Sequence, residues 1–326
     1  MTERLDVLAI GNAIVDVIAQ VDDAFLTSEG VEKGIMTLIG PDRANSLYAA
    51  MPSSREVSGG SAANTAAGAA AIGAKTGFIG RVKDDQLGEI FAHDIRAMGV
   101  HYDGPILVEG PDTSRCLVLV SPDGERSMST FLGASTGLVA DDLDTGLLGR
   151  ARWLYLEGYL FDTPEAKAAY SRAIWATKKG GGKTSITLSD PFCVDRHRAD
   201  FRTLIRNEID LLFANKAELL SLCETDDLET ALNIISVEVE VAAITLSEEG
   251  AVITRGRDRS WVQANAVDVV DTTGAGDLFA AGFLAGLAQG RDDASSARMG
   301  CAAAGGIISQ IGARPDFDLK AVMATL

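Results

Sequence analysis

From Trp153 onward, short aliphatic and β-branched runs alternate with longer stretches of helical periodicity, and that alternation restricts the fold more than any other feature. Strands are expected at Trp153–Leu156, Thr184–Leu188, Asp210–Ala214, Val241–Leu246 and Ala251–Thr254. Helices are expected at Pro164–Thr177, near Asp200–Arg206, after Asn215-Lys216-Ala217-Glu218, at Asp277–Ala288 and at Ala294–Gln310. Strands separated by crossover helices lie parallel in one sheet, so the rhythm implies an α/β fold: a mostly parallel sheet with helices on both faces. The first half adds strands at Leu5–Ile10 and Thr76–Val82, a helix of small residues at Ser61–Ile72, and a helix capped by Asp84 or Asp85 and running to about Met98. Two β-rich interruptions, about 15–57 and 108–136, break the pattern. They contain strands at Val15–Val21, Cys116–Ser121 and Arg126–Phe131, the last two flanking the turn P-D-G-E. They are expected to form a small flap, or lid, over one end of the sheet within a single domain spanning 1–326.

At 326 residues, length alone would allow about two domains, but α/β folds reach this size as one unit. No repeat, low-complexity tract or interdomain linker divides the chain. The formal net charge of −17 argues against a nucleic-acid partner, which wants a basic face, and reads most simply as solubility. Cys116, Cys193, Cys223 and Cys301 have no C-x-x-C spacing and fit free thiols in a reducing compartment. His93, His101 and His197 form no metal-like pattern. The N-terminus lacks signal-peptide character and no apolar run is long enough to span a bilayer, so a cytoplasmic protein without a membrane partner is expected. Monomer and homodimer stay open.

The stretch Val269–Gly286, V-V-D-T-T-G-A-G-D-L-F-A-A-G-F-L-A-G, concentrates the chemistry. Val269 and Val270 read as a strand end, Asp271 to Thr273 as a polar turn, and Leu278, Phe279, Gly282 and Phe283 as a helix. Gly274, Ala275 and Gly276 let a ligand approach the backbone. The free N–H groups of the helix start then make a socket for an anion, most plausibly phosphate. Asp277 in the first turn could merely offset the helix dipole. A carboxylate beside a phosphate socket repels the ligand unless it serves the reaction, and an acceptor for the proton of an attacking hydroxyl would stand here. A kinase acting on an alcohol is the reading that uses every part of the stretch.

Elsewhere, Asp16 is an acid between Val15 and Val17. It is either an outward-facing strand residue or a carboxylate accepting from two vicinal sugar hydroxyls. In V-S-G-G-S-A-A-N, close packing accounts for the small residues, but not for Asn64 one turn into a helix. Beside the bare Gly59-Gly60 backbone its amide could hold a hydroxylated ligand. Arg126 just past the hairpin turn is a solvated charge unless the hairpin folds over an anion. Gly180-Gly181-Gly182-Lys183-Thr184 mimics a phosphate loop, yet the pattern requires glycine where Thr177 stands and the run precedes a strand. Gly274-x-Gly276 fails as a dinucleotide fingerprint because Phe279 fills the third position, which argues against an NAD-dependent enzyme.

Taken together, G-G-S-A-A-N, N-x-x-E at 215–218 and D-T-T-G-A-G-D followed by F-x-x-G-F resemble the ribokinase-like family of carbohydrate and nucleoside kinases, over about residues 6 to 315. G-N-A-I-V-D at 11–16, L-S-D-P-F at 188–192, D-G-E-R at 123–126 and G-A-S-T at 133–136 look most like the adenosine kinase branch. Ser247 departs from the pattern, since many relatives have glycine there. The resemblance implies a three-layer α/β/α sandwich with a β-lid and MgATP as phosphoryl donor. Asp277 would be the base, ionised at neutral pH, and the backbone of Gly274, Ala275 and Gly276 would stabilise the transferring group. Asp16, Gly59, Gly60 and Asn64 would hold ribose hydroxyls, and Arg126 would close on the phosphates. Asn12, Tyr159, Phe161 and Phe131 would line a purine slot. Nucleotide contacts would come from Asn215, Thr245, Gly250, Thr273, Gly274 and Gly276, with Glu218 ordering Mg2+ through water. A monovalent cation such as K+ near Asp271 is left open. The expected activity is phosphorylation of adenosine at its 5′-hydroxyl to give AMP. A sugar kinase for ribose or fructose and an inosine or guanosine kinase are the enzyme alternatives. A ligand sensor that kept the fold is the non-enzyme one, though it would have no need of Asp277.

Overall fold

The computed structural model describes residues 3–326. Its main sheet has nine strands, in the order Asp258–Val262, Ala251–Arg255, Val241–Thr245, Leu211–Asn215, Lys183–Thr187, Ala151–Glu157, Leu5–Ile10, Thr76–Ile79 and His101–Tyr102. From Val241–Thr245 to His101–Tyr102 every pairing is parallel, and the last two strands add as antiparallel hairpins. Alternate strand residues enter two cores, as a sheet covered on both faces requires. Leu8, Ile10, Leu154, Leu156, Leu212 and Ile244 meet the helices Pro164–Lys179, Pro191–Glu208, Lys216–Cys223 and Leu228–Ile235. Val7, Ala9, Tyr155, Phe213 and Ala243 meet Ser61–Ile72, Gln86–Ala97 and Ala275–Ala288. The α/β sandwich read from the alternation is therefore the observed architecture.

A second sheet of five strands runs in the order Met36–Leu38, Arg126–Phe131, Ser114–Val120, Ile14–Gln20 and Arg55–Gly59. Val15, Val17 and Ala19 face the core, so Asp16 and Ile18 point the other way. The region before Val57 is less irregular than its polarity suggests. It holds helices at Asp23–Ser28, capped by Asp22, and at Pro41–Ala50.

Several boundaries differ from the sequence reading. Val269 and Val270 are not a strand: the hairpin strand Asp258–Val262 already closes that edge, and the two valines stay 62% and 58% exposed. The Val270 N–H donates instead to Ile308 O at 2.7 Å. The helix expected near Asp200–Arg206 begins at Pro191, capped by Asp190, and is interrupted at His197. No helix among the described residues is long and apolar enough to cross a membrane.

Three helices are pressed together behind the glycine turn. A Cβ on Gly282 would lie 2.5 Å from Met299 O, and one on Gly68 would lie 2.6 Å from a Leu278 methyl. Glycine and alanine at these positions let Ala275–Ala288 settle between Ser61–Ile72 and Asp293–Ile308, which fixes where its first turn points.

Candidate active site

The carboxyl ends of the parallel strands open onto a groove of about 300 Å3. Ligands in open α/β folds bind at this end, near the point where strand order reverses. One wall is Tyr159, Thr187, Ser189, Asn215, Glu218 and Thr245; the other is Ser61, Thr272, Gly274, Ala275, Gly276 and Asp277. Gly274 caps the helix with φ +79, and an added Cβ would lie 2.8 Å from the Ala313 Cβ, so both conformation and space demand glycine. The N–H groups of Gly276 and Asp277 have no acceptor among the described residues. The Ala275 N–H, expected to serve the ligand, is spent on Thr272 O at 3.2 Å, so the free donors of this helix N-terminus are Gly276 and Asp277, in the kind of socket that takes an anion.

Asp277 stands at its edge. Ser61 Oγ donates to Oδ1 at 2.6 Å and Asn64 Nδ2 to Oδ2 at 2.9 Å. Burial pushes its carboxyl above the usual range, while Ser61, Asn64 and the Arg314 guanidinium pull it back. Burial is the largest of these influences. Asn64 is buried, and its Oδ1 has no partner among the described residues.

Asp16 lies across from Asp277 on Ile14–Gln20. Its carboxylate packs over Gly59, where a Cβ would come within 2.5 Å of Oδ2. Burial raises it to about 6, with Arg314 and Arg126 opposing and Asp277 adding to the rise. Gly60 has φ +95, and a Cβ there would lie 2.2 Å from Asn12 O. Asp16, Gly59, Gly60, Asn64 and Asp277 are thus brought to one place by four separate elements.

Arg126 reaches the mouth of the site but is not free. Nη1 is paired with Asp271 and donates to Thr273 Oγ1 at 3.1 Å. Asp271 also accepts from the Thr273 N–H at 3.0 Å and the Gly312 N–H at 2.8 Å. Burial works against ionisation of Asp271, but these hydrogen bonds and Arg126 hold it below its ordinary value. Both oxygens of the Asp271 carboxylate are therefore engaged inside the protein. Thr273 is committed to this same network rather than to the groove.

Asn12 corrects the sequence reading. It is 1% exposed and both ends of its amide are engaged inside the protein. Nδ2 donates to Glu157 Oε1 at 2.7 Å and Oδ1 accepts from Ser135 Oγ at 2.8 Å. Glu157 also accepts from the Ala62 N–H at 2.9 Å, so Asn12 and Glu157 together tie the ends of two central strands to the helix that presents Ser61 and Asn64. Gly250 is likewise a turn residue: φ is +95, a Cβ would lie 2.0 Å from Val262 O, and it does not line the groove. Among the aromatic candidates, Phe161 is core, stacked on Phe201 at 4.7 Å, and Phe131 is buried beneath Arg115. Tyr159 does line the groove, but on the Asn215 side, with its hydroxyl donating to Ser189 O at 3.1 Å.

Asn215 and Glu218 form a reciprocal cap. Asn215 Oδ1 accepts from the Glu218 N–H at 2.9 Å, and Glu218 accepts from the Asn215 N–H and amide. Burial raises Glu218 to about 7, with the Asn215 N–H opposing. No group of three acidic, histidine or cysteine side chains among the described residues could hold an ion by itself. A lone carboxylate beside an anion socket suits Mg2+, which keeps its waters and binds largely through substrate phosphates.

The pfkB family carbohydrate kinase pattern matches the chain over residues 6–319. The chain belongs to that family. It is a phosphotransferase acting on a hydroxyl acceptor, with the ribokinase-like fold. Two solved structures are similar along almost its whole length. One is a probable sugar kinase from Rhizobium etli CFN 42, 48% identical, covering 99% of each chain with a TM-score of 0.92. The other is the adenosine kinase from Sinorhizobium meliloti, also 48% identical over 99% of each chain, TM-score 0.91. A probable fructokinase from Arabidopsis thaliana is 26% identical, covering 79% of each chain.

Three residues of the kinase's site escaped the sequence reading: Ser61, Glu157 and Arg314. An acid closing the apolar run W-L-Y-L-E could have flagged Glu157. For Arg314, in a loop remote from every motif, the sequence offers no signal.

Proposed function

We propose that the kinase transfers the γ-phosphoryl group of ATP to the 5′-hydroxyl of a nucleoside, and that adenosine is the acceptor, giving AMP. The observation behind this choice is the 48% identity, over 99% of both chains, to the adenosine kinase from Sinorhizobium meliloti. The acceptor's ribose lies between the two sheets, its vicinal hydroxyls donating to Asp16 over the Gly59-Gly60 turn and its 5′-hydroxyl directed at Asp277. Asn64, whose Oδ1 is unpartnered, stands beside it. Asp277 accepts the hydroxyl proton as the oxygen attacks phosphorus in line. The free N–H groups at Gly276 and Asp277 then stabilise charge on the transferring group. Asn215, Thr245 and Gly274 border the phosphate path, and Arg126 adds positive charge at its mouth. Glu218 would hold Mg2+ through water, and the ion would neutralise charge on the phosphates. Closure of the smaller sheet over the groove excludes water, so that ATP meets the alcohol instead.

A sugar acceptor is the second reading, favoured by the equally similar probable sugar kinase and by the fructokinase relative. Initial rates with adenosine, inosine, ribose and fructose, each with MgATP, separate the two. A kcat/KM for adenosine well above the others is expected, and equal or better turnover of a free sugar would replace the first reading with the second.

A further inference from the structure

Arg314 comes from the loop after the last long helix, far in sequence from every other residue of the site. Its Nε donates to Ser58 O at 3.2 Å, and Nη1 donates to Ala63 O at 3.1 Å and lies 3.4 Å from Met98 Sδ. Ser58 and Ala63 bracket the Gly59-Gly60 turn on which Asp16 rests and from which Ser61 and Asn64 reach Asp277. The third nitrogen, Nη2, is shut off from solvent and has no partner among the described residues. A guanidinium has five donors in a rigid fork, so an unmatched one inside a protein is a cost that packing alone does not explain. The charge nonetheless acts on two carboxylates, Asp16 and Asp277, that no other buried cation among the described residues serves jointly.

We propose that Arg314 is a positioning residue for phosphoryl transfer. It clamps the Gly59-Gly60 turn by its two carbonyl contacts and supplies the positive charge that keeps Asp16 and Asp277 ionised together. This rests on the reading of Asp16 as acceptor ligand and Asp277 as base. The charged and titratable groups around the pair fit that role. Arg126 faces Asp16 from the smaller sheet but is already paired with Asp271. Glu157, Tyr155 and Tyr159 face Asp277 from the main sheet and its following turn, and none is a cation. Cys116 lies beside Asp16, and Asp94, on the helix Gln86–Ala97, holds the Ser58 N–H at 3.1 Å. Among the described residues, Arg314 is therefore the single positive group common to both carboxylates. Burial lowers its own pKa only to about 10, with Asp16, Asp277 and Asp94 opposing, so it stays charged at neutral pH.

The test is the pH profile of kcat/KM for the parent, Arg314→Gln and Arg314→Lys, with melting temperatures measured alongside. The acceptor is whichever compound the parent phosphorylates best, so a sugar in place of adenosine would defeat the proposed acceptor and leave this test intact. Removing the charge raises both carboxyl pKa values, so in Arg314→Gln the acid limb should move up by about one pH unit. At pH 6, kcat/KM should then fall about fivefold. Arg314→Lys keeps the charge and loses the fork: its limb should stay with the parent's while its rate drops at all pH values. A folded Arg314→Gln with the parent's acid limb overturns the proposal, since a merely structural arginine would change stability and leave the limb in place. If Arg314→Gln does not fold, the neutral Arg314→Met decides: an acid limb displaced upward supports the proposal, and one at the parent's position overturns it.

Discussion

Asp277 sits where two effects oppose each other. A helix N-terminus favours a carboxylate, and burial in a narrow groove disfavours it; here burial prevails and the carboxyl is raised. A base that must take a proton from an alcohol benefits from the rise, because a very acidic carboxylate is a weak acceptor. Asp277→Asn keeps the shape and can still bond Ser61 and Asn64, so binding of the acceptor should survive. Its kcat should fall by about 10^3-fold or more; single-turnover kinetics with a parallel binding titration measures both. Turnover near the parent's rate would remove Asp277 from the reaction. At this scale the sequence was informative where chemistry and geometry coincide: Gly60 and Gly274, with positive φ and no room for a Cβ, are legible as glycines in a turn before a helix. It misled where a polar residue serves the scaffold. Asn12 lies in a motif and looks like a ligand contact, but its amide joins Glu157 to Ser135.

The elements owe their order to burial, and the helix Ala275–Ala288 shows how that order reaches the site. It is apolar almost all round because it packs on the sheet, on Ser61–Ile72 and on Asp293–Ile308. Gly282 faces the Met299 carbonyl too closely for any side chain. Gly282→Val would wedge two helices apart against backbone, which cannot swing aside as a side chain can. A loss of about 1–3 kcal/mol is expected from such overpacking, read as a lowered midpoint in thermal unfolding. Because the same helix carries Asp277, kcat should fall as well, although the substitution is more than a turn from the groove. An unchanged melting midpoint would mean that the helices are not in contact as described. Strands buried on both faces were readable from their unbroken apolar runs. Val269-Val270 has the same composition and no partner, and periodicity alone cannot tell whether a sheet edge is free.

On the scale of the whole molecule, an acidic protein gathers several of its buried carboxyls at one end of the sheet. Asp16 is raised to about 6, and Glu157 and Glu218 to about 7, chiefly by burial. A carboxyl whose folded-state pKa exceeds its unfolded value binds its proton more tightly when folded. Its contribution to stability is complete below the unfolded pKa and is lost as pH rises through the folded one. For Glu157 the window runs from the model-compound value of 4.5 to about 7, and the shift corresponds to about 3 kcal/mol. Overall self-repulsion at a net charge of −17 also weakens the fold as pH rises, so the parent's pH dependence alone does not isolate this residue. Glu157→Gln does. The amide cannot ionise, but its NH2 faces the Ala62 N–H, a mismatch that costs about 1–3 kcal/mol at every pH. The variant should therefore be clearly less stable than the parent at pH 5, and the gap should narrow by several degrees of melting temperature by pH 8. Self-repulsion changes both proteins almost alike and leaves the difference. A gap that is constant from pH 5 to 8, or that widens, would mean that Glu157 is ionised throughout, compensated by its three N–H donors. Glu157 would then be a fixed buried anion with no proton to release as the pH rises.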